Sequence, residues 1–366
     1  MTRIIVLPGD GIGPEVAGEA VRCLTALSAQ CDLGLTFESH DFGGIAIDRH
    51  GTPLPAATLE ACRGADAILL GAVGGPAWDA CAERPEKGLL QLRAELGLFA
   101  NLRPGKTMSG LEHLSPLKNK IVAGSDIMVV RELTGGIYFG EKIEGGETAS
   151  DLCIYSRAEV ERIAHVAFGL ARRRQRRLTS VDKANVLASS RLWRAVVVEI
   201  GAQYPDVALD HMYVDAAAMA LVTNPRRFDV IVTENMFGDI LSDEMSVLGG
   251  SIGLLGSASQ SSDGPALFEP IHGSAPDLAG LDIASPAGAI ASAAMLLDLG
   301  LGLTDMGALL NAALEAAIAA GCRTADLGGS ARCSEFGARV REELDAQFAA
   351  RDAHLALIAM NRGCCG

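Results

Sequence analysis

Short apolar runs that end in glycine or a polar turn, each followed by a helical pattern, set the strongest limit on how this chain can fold. "IVLPGD" (5–10), "AILLGAV" (67–73) and "DVIVTEN" (229–235) all have this form. Such alternation predicts an α/β architecture with a largely parallel sheet. Residues 105–155 differ. There "DIMVVREL", "GIYFGE" and "ASDLCIYS" are short extended runs joined by glycine turns, which predicts an antiparallel insert. Residues 286–320 are small and apolar at helical spacing, as packed core helices are.

The first such unit, "RIIVLPGDGIGPEV" (3–16), has the strand, glycine turn and helix of a dinucleotide site, but not its spacing. The fingerprint G-x-G-x-x-G needs a glycine at the sixth position. From Gly9 that position is Pro14, and from Gly11 it is Val16. No G-K-[ST] follows either. Pro14 suits the first turn of a helix, where a missing N–H costs nothing. The segment reads as a plain strand-to-helix turn, and a cofactor site is expected elsewhere.

Composition narrows the function classes. With 49% hydrophobic residues the chain is globular, and no run of about 18 apolar residues suggests a membrane span. A formal net charge of −14 argues against nucleic acid as a partner. The one basic run, "ARRRQRRL" (171–178), is expected to close a helix that starts near Arg157, where cations suit the negative end of the dipole. The nine cysteines are odd in number and form no C-x-x-C. That pattern, and the lack of a basic-then-apolar leader, predicts a cytoplasmic protein with reduced thiols. The tail "NRGCCG" (361–366), with Cys364 and Cys365, is expected to be disordered.

Charges converge in several blocks. In "ENMFGDILSDE" (234–244) a helix would place Asp239 and Asp243 on one face. They are either a solvated acidic face or oxygen ligands for Mg²⁺ or Mn²⁺. Asp215, in the apolar "MYVDAAAMAL", needs a partner. Arg93, Arg103 and Arg131 adjoin apolar segments. They either pair with Glu86, Glu95 or Glu132, or grip the carboxylates of a di- or trianionic substrate. Lys183 in "SVDKANVL" is a salt-bridge partner of Asp182 or a base of lowered pKa. Tyr138 in "GIYFG" is a strand core tyrosine or a proton donor. In "FEPIHGSAPDLAG" (268–280), His272, Gly273, Ser274 and Ala275 offer small residues and backbone N–H groups for a phosphate or ribose. Asp277 would accept from ribose hydroxyls, which favours NAD over NADP.

Taken in order, these blocks resemble the β-decarboxylating dehydrogenases, the isocitrate/isopropylmalate family. "GDGIGPEV", "GAVGGPAWD", "RPEKGLLQLRAELGLFANLRP", "VRELTGGIYFGE", "SVDKANVL", "YVDAAAMAL", "ENMFGDILSDE", "EPIHGSAPDLAG" and "DLGGSA" span roughly residues 3–345. The resemblance implies a two-domain, mostly parallel α/β fold that is not the usual dinucleotide-binding (Rossmann) fold. Residues 1–99 and 251–366 would form the first domain, with the NAD-binding loop. Residues 100–250 would form an inserted second domain that pairs two subunits and carries the metal and catalytic residues.

The resemblance also implies roles. Arg93, Arg103 and Arg131 would clamp substrate carboxylates. Asp239 and Asp243, with Asp215 of a partner subunit, would hold Mg²⁺ or Mn²⁺. Lys183 of the partner and Tyr138 would move protons. Glu269, His272, Gly273, Ser274, Ala275, Asp277 and Leu278 would bind the adenosine half of NAD. So would Ser285, which stands where relatives often carry Asn. Glu86, Leu89 and Leu90, with Val186 opposite, would form an apolar wall for the side group of a substituted malate. An isopropyl group fits such a wall, so 3-isopropylmalate is the expected substrate, in leucine biosynthesis. Other 3-substituted malates (benzylmalate, homoisocitrate, tartrate or D-malate) and a non-catalytic paralogue are the alternatives.

Overall fold

The computed structural model describes residues 1–81 and 83–363, with side chains through residue 350. Ala82 and Cys364–Gly366 lie outside the described residues, and with them the paired cysteines of the expected tail. The chain runs β1 (Thr2–Gly9), α1 (Gly13–Cys31), β2 (Leu35–Ser39), α2 (Gly44–His50), α3 (Ala56–Arg63), β3 (Ala67–Ala72), α4 (Pro85–Glu95) and β4 (Ala100–Lys106). Next come α5 (Asn119–Val122), β5 (Asp126–Glu132), β6 (Lys142–Ile143), β7 (Ser150–Asp151), α6 (Arg157–Arg173), β8 (Arg177–Asp182), α7 (Ala188–Gly201), β9 (Ala208–Tyr213) and α8 (Val214–Thr223). It ends with β10 (Val230–Thr233), α9 (Asn235–Leu248), β11 (Gly256–Gln260), β12 (Ala266–Pro270), α10 (Ala287–Met295), α11 (Thr304–Ala319) and α12 (Cys333–Gly363). The expected disordered tail is thus helical as far as Gly363.

Two compact units form: Met1–Leu89 with Phe268–Gly366, and Leu90–Leu267. In the first, β2, β1 and β3 are parallel neighbours. Every residue of β3 is buried, as a parallel strand covered by helices on both faces must be. The apolar run of 286–320 forms α10 and α11, and Ile290, Leu310 and Leu314 are fully or almost fully buried there.

In the second unit the strand order is β11-β4-β5-β10-β8-β9. The β5–β10, β10–β8 and β8–β9 pairs are parallel, and β11–β4 and β4–β5 are antiparallel. The expected antiparallel insert is therefore smaller than its sequence suggests. β5 joins the main sheet, the β6–β7 hairpin has two residues per strand, and "GIY" (136–138) is a 3₁₀ turn. Val122, Ile127, Val129, Phe228, Ile231, Leu241 and Met245 form this unit's core.

The basic run does close a helix. α6 starts with a capping box: Ser156 Oγ accepts from Glu159 N, and Glu159 Oε2 accepts from Ser156 N at 2.7 Å. Two of its arginines meet acids. Arg172 meets Asp206, and Arg174 meets Asp126 and the buried Asp229. The seven described cysteines are all free thiols.

Candidate active site

The site grows from one antiparallel pairing. Asn101 of β4 stands opposite Arg131 of β5. Side chains alternate along a strand, so Arg103 shares the sheet face of Asn101 and Arg131. Arg103 Nε donates to Asn101 Oδ1 at 2.8 Å. Across this face, α9 presents Asn235, Asp239, Ser242 and Asp243, spaced to lie on adjacent turns.

Arg131 is 6% exposed. Its Nε donates to Asn235 Oδ1 at 3.0 Å and its Nη1 to Asp239 Oδ1. Arg103 Nη1 donates to Ser242 Oγ at 2.7 Å and to Asp243 Oδ1 at 3.0 Å. Tyr138, at the end of the 3₁₀ turn, donates its hydroxyl to Asp239 Oδ2 at 3.0 Å. Arg103 and Arg131 thus pair with acids of α9, not with the neighbouring glutamates considered from the sequence. Glu132 instead accepts from Thr134 N and Gly135 N and pairs with Arg162.

Electrostatics mark the spot. Burial, with the Arg103 and Arg93 charges, brings Arg131 down to about 10, even with Asp239 beside it. Such a guanidinium gains most from an added anion. Arg93, in the last turn of α4, joins the other two through this field. Burial and the Asp239 carboxylate raise the Tyr138 pKa, so its hydroxyl keeps its proton. At 42% exposed, Tyr138 is no strand core residue.

A second pair lies beyond the same, C-terminal, end of the parallel strands, after β8 and β9. Lys183 follows β8 and donates to Asp215 in the first turn of α8. Asp182, the lysine's other possible partner, is fully buried and taken by Arg194 Nε and Nη2, each at 2.8 Å. Asp215 is exposed rather than set in an apolar interior, and Lys183 holds its pKa down. Val186 belongs to the same turn: its N–H donates to Lys183 O at 2.9 Å. Val186 and Leu90 leave apolar side chains in solvent, at 62% and 47% exposed. Among the described residues no three His, Cys, Asp or Glu side chains form a metal-holding group. Asp215 therefore does not join Asp239 and Asp243 within one chain. Those two remain hard oxygen donors one turn apart, a set that suits a divalent cation.

In the first unit the segment 268–285 runs from β12 into a 3₁₀ turn at Pro276–Leu278. Ser274 is buried, while Gly273 and Asp277 are exposed. His272 Nδ1 contacts Gly273 O at 2.9 Å, and burial lowers the ring's pKa. His272 Nε2 and Ser285 Oγ are buried without a hydrogen-bond partner. Buried polar atoms are seldom left so, and two in one loop fit a polar ligand such as a nucleoside. Glu86 is exposed in the first turn of α4, and its carboxylate lies against the Gly74 backbone.

Sequence reading missed Asn101, Asn235 and Ser242, which orient the two arginines. Their signal is spacing: Asn235 and Ser242 fall four before and three after Asp239.

Comparison with known proteins gives the family. Residues 3–340 match the isocitrate/isopropylmalate dehydrogenase family. The 3-isopropylmalate dehydrogenase of Staphylococcus saprophyticus is 55% identical over 343 residues, 93% of this chain and 99% of that protein. An isocitrate dehydrogenase from Methylococcus capsulatus superposes with a TM-score of 0.84 at 34% identity, over 94% of this chain and 99% of that one. A β-decarboxylating dehydrogenase from Thermococcus kodakarensis, in its apo form, gives 0.82 at 40% identity, over 95% and 98%. The chain belongs to the isocitrate/isopropylmalate dehydrogenase family and is an oxidoreductase.

Proposed function

We propose that this enzyme oxidises and decarboxylates (2R,3S)-3-isopropylmalate to 4-methyl-2-oxopentanoate and CO₂ with NAD⁺, a step of leucine biosynthesis. The observation that carries the reading is the set Arg103, Arg131, Tyr138, Asp239 and Asp243. Two guanidinium groups and two carboxylates share one face, with a phenol against them. Without ligands the opposite charges satisfy each other. A dianionic substrate takes the arginine forks and releases the carboxylates for a cation.

When bound, Mg²⁺ or Mn²⁺ would supply positive charge at the C2 oxygen, and NAD⁺ would accept the C2 hydride. Arg93, Arg103 and Arg131 hold the two carboxylates and set C2 and C3 in place. The partner subunit's Lys183 takes the C2 hydroxyl proton as hydride departs. The carboxylate on C3 is then β to a ketone and leaves as CO₂, with its bonding pair staying on C3 and the oxygen. Tyr138 returns a proton to C3. Its raised pKa keeps that proton available at neutral pH. The His272–Asp277 loop, with Glu269, Leu278 and Ser285, takes the adenosine half of NAD. Asp277 repels a 2′-phosphate. Glu86, Leu89, Leu90 and Val186 wall the isopropyl group.

Two helix faces support a shared site between two copies of the chain. On α8, Asp215, Met219 and Val222 fall on one stripe. On α9, Asp243, Ile240 and Val247 do the same. Met219, Ile240 and Val247 are at least half exposed, which is much apolar surface for a lone chain. A second copy that covers these stripes would bring Asp215 and Lys183 to the α9 acids. The enzyme would work as a homodimer in the cytoplasm. The reading is tested by incubating the protein with 3-isopropylmalate, NAD⁺ and Mg²⁺. It requires NADH and CO₂ in equal amounts, and NADH without CO₂ would refute the decarboxylating role.

A further inference from the structure

The glycine-rich turn before α1 lacks the spacing of a dinucleotide site, yet it is tied to the loop that is read as the cofactor site. Ile12 N donates to Ser274 O at 2.8 Å. Gly11, at φ +57°, passes so close that a Cβ would lie 2.0 Å from the same oxygen. Glu15 is the third residue of α1. A glutamate there ordinarily reaches back to the cap amide of its own helix. Here that amide, Ile12 N–H, is taken by Ser274. The Glu15 carboxylate instead turns to the far end of the loop, where Oε1 accepts from Gly280 N and Oε2 accepts from Asp282 N at 3.1 Å.

Asp282 needs the support. Its φ of +57° is one that L side chains rarely adopt. Its other side is also fastened: Oδ1 accepts from Ser334 N at 2.8 Å, Oδ2 from Ser334 Oγ at 2.6 Å, and its carbonyl from Cys333 N at 2.8 Å. Between the two anchors lie Ala275, also left-handed at φ +38°, and the exposed Asp277 and Leu278. Beyond them Leu281 and Ile283 stand 55% and 42% exposed.

We propose that Glu15 is a positioning residue for the dinucleotide: its carboxylate holds residues 274–282 in the shape that the adenosine half of NAD⁺ meets. The inference rests on the reading of His272–Ser285 as the NAD loop. A loop ordered in advance spares the cofactor the entropy of ordering it. Two acceptor oxygens match two amide donors. A glutamine offers one oxygen and sets an N–H₂ against the second amide.

The test uses full-length Glu15→Gln and Glu15→Ala, with Asp277→Ala probing the underlying reading. Three quantities are measured: amide exchange of 274–283 without cofactor, NADH affinity by fluorescence titration, and KM for NAD⁺ and for 3-isopropylmalate. Both Glu15 variants are expected to exchange faster in this segment. They should bind NADH roughly tenfold more weakly and raise KM for NAD⁺ by a similar factor. KM for 3-isopropylmalate should shift much less. Wild-type exchange and NADH affinity, with only a lower melting temperature, would overturn the inference. Should Glu15→Ala fail to fold, the isosteric Glu15→Gln still decides. If Asp277→Ala leaves NADH affinity unchanged, the NAD-loop reading itself falls. If it weakens NADH while the Glu15 variants do not, only the positioning role falls.

Discussion

Arg131 and Asp239, 108 positions apart in the chain, meet in a charge-assisted hydrogen bond, and the same carboxylate accepts the Tyr138 hydroxyl through its other oxygen. Asp239 thus touches a buried guanidinium and a phenol at once. Its replacement should unsettle both. Asp239→Asn is expected to lower kcat/KM at least about 100-fold, with a raised Mg²⁺ requirement. Steady-state kinetics across a magnesium series checks this.

Tyr138→Phe removes one oxygen from an exposed side chain and little else. Turnover should fall by about 10²–10⁴-fold, the usual contribution of a positioned acid, while KM for the substrate stays within a few-fold. A fall in KM-linked affinity with turnover intact would reassign the phenol to binding.

Lys183→Ala should abolish turnover and leave circular dichroism unchanged, because Lys183 and Asp215 pair at the surface. If two copies share each site, mixing Lys183→Ala chains with Tyr138→Phe chains should restore part of the activity in the hybrid. Ile240→Glu with Val247→Glu should give monomers by sedimentation velocity, with loss of activity.

Glu234 gives a pH prediction. It is 4% exposed, accepts from Ser190 Oγ and faces repulsion from Asp182, and burial pushes its pKa to about 7. The folded chain then binds a proton that the unfolded chain has lost above about 4.3. Stability therefore falls as pH rises from about 4.3 to 7, and the penalty is full above that. Glu234→Gln should stabilise the protein at pH 8 by up to about 3 kcal/mol and have little effect at pH 4. Urea midpoints at the two pH values check the sign.

The parts of this architecture that could be read from sequence are those set by local pattern. β1, β3 and β10 announce themselves as buried apolar runs. The common face of Asp239 and Asp243 follows from helical spacing alone. Partners chosen by tertiary contact could not be read. Nothing near Arg131 in sequence points to Asp239, and the neighbouring Glu132 was a false lead. Asp182 lay beside Lys183 in sequence yet turned to Arg194. "GIYFG" looked extended because aromatic and β-branched residues favour strands. Its glycines, one at φ +80°, instead bend it into the 3₁₀ turn that exposes Tyr138. The hold of the first glycine turn on the loop near residue 274 is visible only in three dimensions.

The most direct measurement is a comparison of kcat/KM for 3-isopropylmalate, 3-benzylmalate, malate and isocitrate, each with NAD⁺ and with NADP⁺, in the presence of Mg²⁺. 3-Isopropylmalate with NAD⁺ is expected to exceed every other combination. A preference for isocitrate or for NADP⁺ would contradict the apolar wall at Leu89, Leu90 and Val186 or the role of Asp277.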